Sequence, residues 1–150
     1  MEAGQGPLTK IFDSAVIPVG TRFCQADADG EMKEYIFLKG VASTAARDVV
    51  TFDENFQSAR LVPGAVGPVA VALAAIVANK FGWYQIYGNG SVASDTTAAD
   101  KALYADTASG RVDDAVVTGD LILGIVSTAA DSTNVLPVWL NYPMKLGILG

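Results

Sequence analysis

The chain has 150 residues, 51% of them hydrophobic and 17% charged, with a net charge of −6 and no histidine. That length suits one domain with a real core. Lysines and arginines scattered singly under a negative balance exclude a phosphate-binding surface, so no nucleic-acid partner is expected. The missing histidine removes Ser-His-Asp and Cys-His catalysis, along with the commonest zinc ligand.

Mean hydropathy is +0.33, yet no uncharged apolar run reaches the ~18–20 unbroken residues that span a bilayer. The longest, Leu61 to Asn79, is broken by Pro63, Gly64, Gly67 and Pro68, so no membrane partner is expected. Met1 to Pro7 has neither a basic start nor an apolar run, which is unlike a signal peptide. The surplus hydrophobicity is therefore expected in the core or at a subunit interface, which points to a homo-oligomer.

In chain order, residues 1–15 contain Gly and Pro without periodicity and read as an extended N-terminal arm; 16–150 read as a single β domain. Thr21–Ala26 and Glu34–Leu38 are predicted strands, joined as a hairpin by the Asp27-Ala28-Asp29-Gly30 turn. Cys24, alone of its kind, is expected to be a buried, inert thiol. Val49–Phe52 is a third strand, followed by a less regular stretch to Val62.

Next comes the run around which the chain is organised. Val69, Val71 and Leu73 alternate with Ala70, Ala72 and Ala74, a period of two. Alanine and leucine would also suit a helix, but the run follows Gly-Pro without an N-cap and is rich in valine, so a strand is predicted. Phe81–Tyr87 is its aromatic partner strand, and the two form the centre of the domain. Gly88-Asn89-Gly90 carries the Asn-Gly signal of a tight hairpin turn, with a new strand starting at Ser91–Ser94. Further strands are predicted at Lys101–Ala105, Leu121–Val126 and Val135–Leu140. Pro137 argues that the last is an edge strand or bulged. Short strands, turn residues and no long amphipathic pattern indicate an all-β fold, a compact sandwich or barrel of short antiparallel strands.

Candidate chemistry is sparse. Asp27, Asp29 and Glu31 lack the spacing of a calcium loop and suit an exposed turn. Asp113 and Asp114 are adjacent and would point apart on a strand, whereas two acids acting on one bond must converge. Gly88-Asn89-Gly90 lacks the third glycine of a dinucleotide fingerprint. No catalytic, metal or cofactor residue is assigned. Trp83, Tyr84, Tyr87, Trp139 and Tyr142 could build a sugar platform, but no acidic or amide cluster sits beside them in sequence. Core or interface is the preferred reading, with Trp83 and Tyr84 on opposite faces, one filling the core and the other at an interface.

Asn79-Lys80-Phe81-Gly82-Trp83-Tyr84-Gln85-Ile86-Tyr87-Gly88, followed by Gly110–Ala115, Thr118-Gly119-Asp120 and Gly124-Ile125-Val126, resembles the capsid decoration, or cement, proteins of tailed double-stranded DNA bacteriophages. The resemblance covers about Val66 to Pro143. It implies a structural protein and no enzyme, which is made in the host cytoplasm and bound on the capsid exterior of the virion. Its partners would be the major capsid protein and further copies of itself, taken as a trimer. Contact residues would come from the arm (Leu8, Ile11, Phe12) and the aromatics Trp83, Tyr84 and Tyr87, then from Trp139 and the segment Tyr142–Leu146. Two other readings stay open. One is a carbohydrate-binding β-sandwich module of a head fibre or tail; the other is an enzyme whose carboxylates converge only in the fold.

Overall fold

A computed structural model describes residues 8–147, and the fold is all-β, as the sequence predicts. The strands are β1 (Arg22–Ala26), β2 (Met32–Lys39), β3 (Val49–Phe52), β4 (Ser58–Arg60), β5 (Gly67–Ala72), β6 (Phe81–Ala93), β7 (Ala102–Ala105), β8 (Val112–Asp113), β9 (Leu121–Ser127) and β10 (Val135–Lys145). They hydrogen-bond into one folded-over antiparallel sheet, in the order β1-β2-β6-β5-β10-β9-β7-β8, with β3 against β5 and β4 against β3. Among the described residues no helix is long and apolar enough to cross a membrane.

The Val/Ala alternation of β5 has a simple outcome: both of its faces are buried. Val69 and Val71 face a first core with Val49, Leu61, Leu103, Ile122, Leu136 and Leu140. Ala70 and Ala72 face a second, filled by Ile36, Phe52, Tyr84 and Ile86. Small side chains oppose large ones there, which lets the layers close without voids. The same alternation recurs one layer out. Ile36 and Tyr84 point into the second core, while Tyr35, Phe37 and Trp83 point into a third. Long β6 joins the layers, because its first half pairs with β2 and β5 and its second half with β10.

The predicted arm is only partly within view. Its first seven residues lie outside the described residues. From Leu8 onward the segment packs on the third core. Phe12 exchanges two backbone hydrogen bonds with Phe81, both 2.9 Å, and sets its ring edge-on to Phe37 at 5.7 Å. Lys80 Nζ reaches Asp13 Oδ1 at 2.6 Å, and that bond holds the Asp13 carboxyl below its usual range. Residues 8–13 are thus a lid on the domain's own core.

One turn signal resolves differently from the prediction. Gly88-Asn89-Gly90 makes no hairpin, and β6 runs straight through it to Ala93. Gly88 follows a β-bulge instead. Glu34 faces Tyr87 but Tyr35 faces Gln85, leaving Ile86 as the extra residue. Gly88 takes φ 97°, and a Cβ there would come within 2.6 Å of the Met32 carbonyl. Pro137 sits in a strand with neighbours on both sides, so of the two expected outcomes, an edge or a bulge, the strand takes the second: its register shifts between Leu140 and Met144. The Pro137 carbonyl accepts from Thr128 N at 2.9 Å, so its ring nitrogen faces the same way, past the end of β9. The absent N–H therefore costs no ladder bond to β6. β4 falls in the stretch read as irregular, and β10 continues beyond Leu140 to Lys145.

Lys145 is fully buried. Its Nζ lies 2.7 Å from Asp120 Oδ1 and donates to the carbonyls of Ala65 and Gly119, each at 2.9 Å. All three ammonium protons have acceptors, which is what a buried lysine needs.

Candidate functional site

Among the described residues, the four strands β7, β9, β10 and β6 leave one broad face without a covering layer. Cross-strand registers place Ala102 beside Val126, Val126 beside Trp139, and Trp139 beside Asn89. Register partners share a face, so these four make one row across the sheet. Ile125, Leu136, Val138 and Leu140 point the other way, into the first core. Leu123 and Met144, also paired, extend the outward face. Leu123, Val126, Tyr142 and Met144 are 38–47% exposed, and Trp139 and Tyr87 are half-buried.

A second bulge shapes this surface. β10 carries Asn141, Tyr142 and Pro143 opposite the single Gly124 of β9. Gly124 adopts φ 77° and Tyr142 φ 48°; a Cβ on Gly124 would sit 2.6 Å from the Asn141 carbonyl, so the position requires glycine. The bulge brings the Tyr142 ring to 5.3 Å from Tyr87, which lies 5.2 Å from Trp139. Such aromatic contacts are worth about 0.5–1.5 kcal/mol each beyond burial.

Charged and amide groups surround the trio. The Tyr142 hydroxyl donates to Glu34 Oε2 at 2.6 Å, Arg22 lies 3.6 Å from the same carboxylate, and its guanidinium sits over the Tyr142 ring. The hydrogen bond to Glu34, with the desolvation it entails, pushes the Tyr142 phenol up to about 12, so it remains a neutral donor at pH 7. Asn89 Nδ2 donates to Glu31 Oε2 at 2.6 Å. The acidic and amide partners missing beside the aromatics in sequence are thus supplied by β2 and β6.

The eight expected contact residues divide. Tyr87, Trp139 and Tyr142 come together on the open face. Trp83 and Tyr84 point to opposite faces, as expected, but both are enclosed, at 1% and 0% exposure. Neither offers a side-chain surface, because each face of β6 at this point is already covered by another layer. Trp83 packs on Phe37 at 5.2 Å and Phe23 at 5.9 Å. The Tyr84 hydroxyl meets Ser58 Oγ at 3.2 Å, and burial pushes its phenol up to about 12. Leu8 and Phe12 are spent on the third core, leaving Ile11 exposed beside them.

Cys24 is exposed, contrary to the expectation of a buried thiol. β1 is an edge strand, and while Phe23 turns to the third core, Cys24 faces outward. Desolvation first, then the Glu34 carboxylate, raises its thiol above the usual range; the thiolate is disfavoured, so the thiol is a poor nucleophile at neutral pH.

The carboxylates serve as turn caps. Asp27 Oδ1 accepts from the Asp29 and Glu31 amides. Asp113 Oδ1 accepts from Ala115 N, while neighbouring Asp114 accepts from Ala98 N, so the pair diverges. Among the described residues no group of three or more acidic or cysteine side chains is arranged to hold a metal ion.

Residues of this face that sequence reasoning missed are Arg22, Glu34 and Asn89 at the trio, with Leu123 and Val126 beside it; Met144 falls in the expected contact segment Tyr142–Leu146. One local signal existed: Gly124 interrupts the apolar run Leu121–Val126, where a bulge re-aims side chains. No protein-family profile and no curated protein matches this chain.

Proposed function

We propose that the chain is a structural virion protein that docks on the outside of a phage capsid lattice and holds neighbouring capsid subunits together. The observation that carries this reading is the uncovered face of β7, β9, β10 and β6, where Leu123, Val126, Met144, Tyr142 and Trp139 form an apolar and aromatic surface. Single exposed apolar residues need no explanation, but a contiguous set on a rigid sheet marks a contact surface. Half-buried Trp and Tyr at its centre are the usual anchors of such contacts. The resemblance of β6 and β9 to decoration proteins supplies the partner, the major capsid protein, and a homo-oligomer as the working unit. Stabilisation would follow mass action: a protein that binds only the assembled shell shifts the equilibrium towards it.

Val126→Glu tests the assignment, since it puts a charge on the middle of the face. Its side chain is already 44% exposed, so stability should change by no more than about 0.5 kcal/mol. The expected outcome is that the variant stays folded, no longer co-sediments with capsids of its phage and no longer raises their melting temperature. Undiminished co-sedimentation would remove this face from the contact.

A specific observation also supports a carbohydrate-binding module of a head fibre or tail: Glu34, Arg22 and Asn89 lie beside Tyr87, Trp139 and Tyr142. Stacking rings edged by hydrogen-bonding groups suit a sugar. Under that reading a glycan array gives a hit that Trp139→Ala abolishes, and capsids are ignored.

A further inference from the structure

On the other side of Asn89 from the aromatic trio, the surface sinks into a polar cleft of about 530 Å³. That volume lies within the range of small-molecule sites, roughly 300–1,000 Å³. Its polar lining is Lys33, Tyr35, Arg47, Gln85, Asn89 and Ser91, and among the described residues no carboxylate lines it. The lining carries two cations, two amides and two hydroxyls; Asp27 stands behind Lys33 and Glu31 behind Asn89, which leaves Arg47 as the lining cation without a carboxylate partner among the described residues.

Arg47 is the centre of it. Its backbone is held in the left-handed region, φ 72°, between two strands: its N–H donates to the Ala72 carbonyl at 2.8 Å and its carbonyl accepts from Ala93 N at 2.9 Å. A non-glycine residue in that conformation is strained, and strain of this kind persists where the surroundings enforce it, often at binding sites. Arg47 Nε donates to Ser91 Oγ at 3.3 Å, which ties the guanidinium to the cleft wall. No described carboxylate forms an ion pair with it, whereas Lys33 is bridged to Asp27 at 3.1 Å. The cleft is rigid beneath it. Gln85 Nε2 donates to the carbonyls of Tyr87 and Asn89, and Gly90 carries no Cβ to crowd the Gln85 amide, which one would approach within 2.7 Å.

We propose that this cleft binds a carboxylate-bearing sugar of the hexuronate type, with Arg47 receiving the carboxylate and Asn89, Ser91 and Tyr35 meeting the hydroxyls. A planar guanidinium with free N–H groups matches a carboxylate through paired, charge-assisted hydrogen bonds. The remaining lining offers both donors and acceptors, which a polyhydroxylated ring needs and a bare anion does not. The net charge of the chain opposes an anion only weakly, because beyond about 8 Å it is screened at physiological salt. The proposal is independent of how the open sheet face is used.

The test is a titration of the isotope-labelled full chain with glucuronate, followed by NMR, with glucose and inorganic phosphate as parallel probes. Glucuronate is expected to give saturable shifts centred on the Ser91, Gly90 and Arg47 amides, to bind at least about tenfold more tightly than glucose, the weight of one charge-assisted contact, and to bind more tightly than phosphate, which lacks the ring hydroxyls. Arg47→Gln should weaken glucuronate about tenfold and leave the weak response to glucose unchanged; should that variant misfold, Arg47→Lys, which keeps the charge and loses the planar fork, gives the comparison. Absence of saturable shifts would overturn the proposal, as would wild-type affinity in a folded Arg47 variant. Phosphate matching glucuronate would reduce the cleft to a plain anion site, and glucose matching it would remove the role of Arg47; either result also overturns it.

Discussion

Trp83→Ala is expected to lower the unfolding free energy by about 3–5 kcal/mol, the range for truncating a fully buried large aromatic. Trp83 is the largest of the fully buried side chains. It holds the third core together through Phe37 and Phe23, and that core is what the segment from Leu8 to Phe12 seals. Its indole Nε1 has no hydrogen-bond partner among the described residues, so the loss would come from packing rather than from a broken polar contact. Trp139→Ala is the comparison. Half-buried on the open face, it should cost under half as much, while weakening whatever docks there. Urea unfolding of the two variants separates the roles. A Trp83→Ala loss under 1 kcal/mol would mean that the third core is dispensable and the N-terminal lid with it.

That contrast shows where sequence reading stops. Alternation in the chain placed Trp83 and Tyr84 on opposite faces, and it made β5 a strand with Val on one side and Ala on the other. These are period-two facts, local to a few residues. Whether a face is covered depends on partners far away in the chain: Trp83 is enclosed partly by Phe12 and Phe23, and Tyr84 by Ile36 and Phe52. The hairpin of β1 and β2 was legible because Asp27 and Gly30 supply the turn's own chemistry. By the same logic Gly88-Asn89-Gly90 misled, since a bulge and a turn both demand glycine, and only the pairing partner decides between them. Tyr142 and Glu34 are separated by 108 residues, and no local pattern joins them. The aromatic trio was legible as three residues of the right type, its polar setting only from the fold.

The buried pair leads to the other large effect. Lys145→Met should cost about 3–5 kcal/mol at pH 7, because it strands the Asp120 carboxylate with the Gly64 N–H as its chief remaining support. The double variant Lys145→Met with Asp120→Asn should recover most of that loss, since Asn still accepts from Gly64 and no buried charge remains. The Asp120 contribution to the pH dependence reverses sign between the proteins. In the parent chain burial by itself would raise the Asp120 pKa, but the Gly64 N–H and the Lys145 ammonium outweigh it and hold the carboxyl below its usual range. A folded pKa below the unfolded value of about 3.9 means that the pair contributes fully above the unfolded value, and that the contribution is lost as pH falls through the folded one. In Lys145→Met the opposing cation is gone and burial dominates, so protonating Asp120 relieves the variant. Acidification therefore removes the Asp120 contribution from the parent and relieves Asp120 in the variant, while other carboxylates such as Asp27 act alike in both, so the stability gap between them should narrow from pH 7 to pH 3. Denaturant midpoints across that range measure it directly. A constant gap would show that the lysine acts through its alkyl packing and its bonds to Ala65 and Gly119, with its charge incidental.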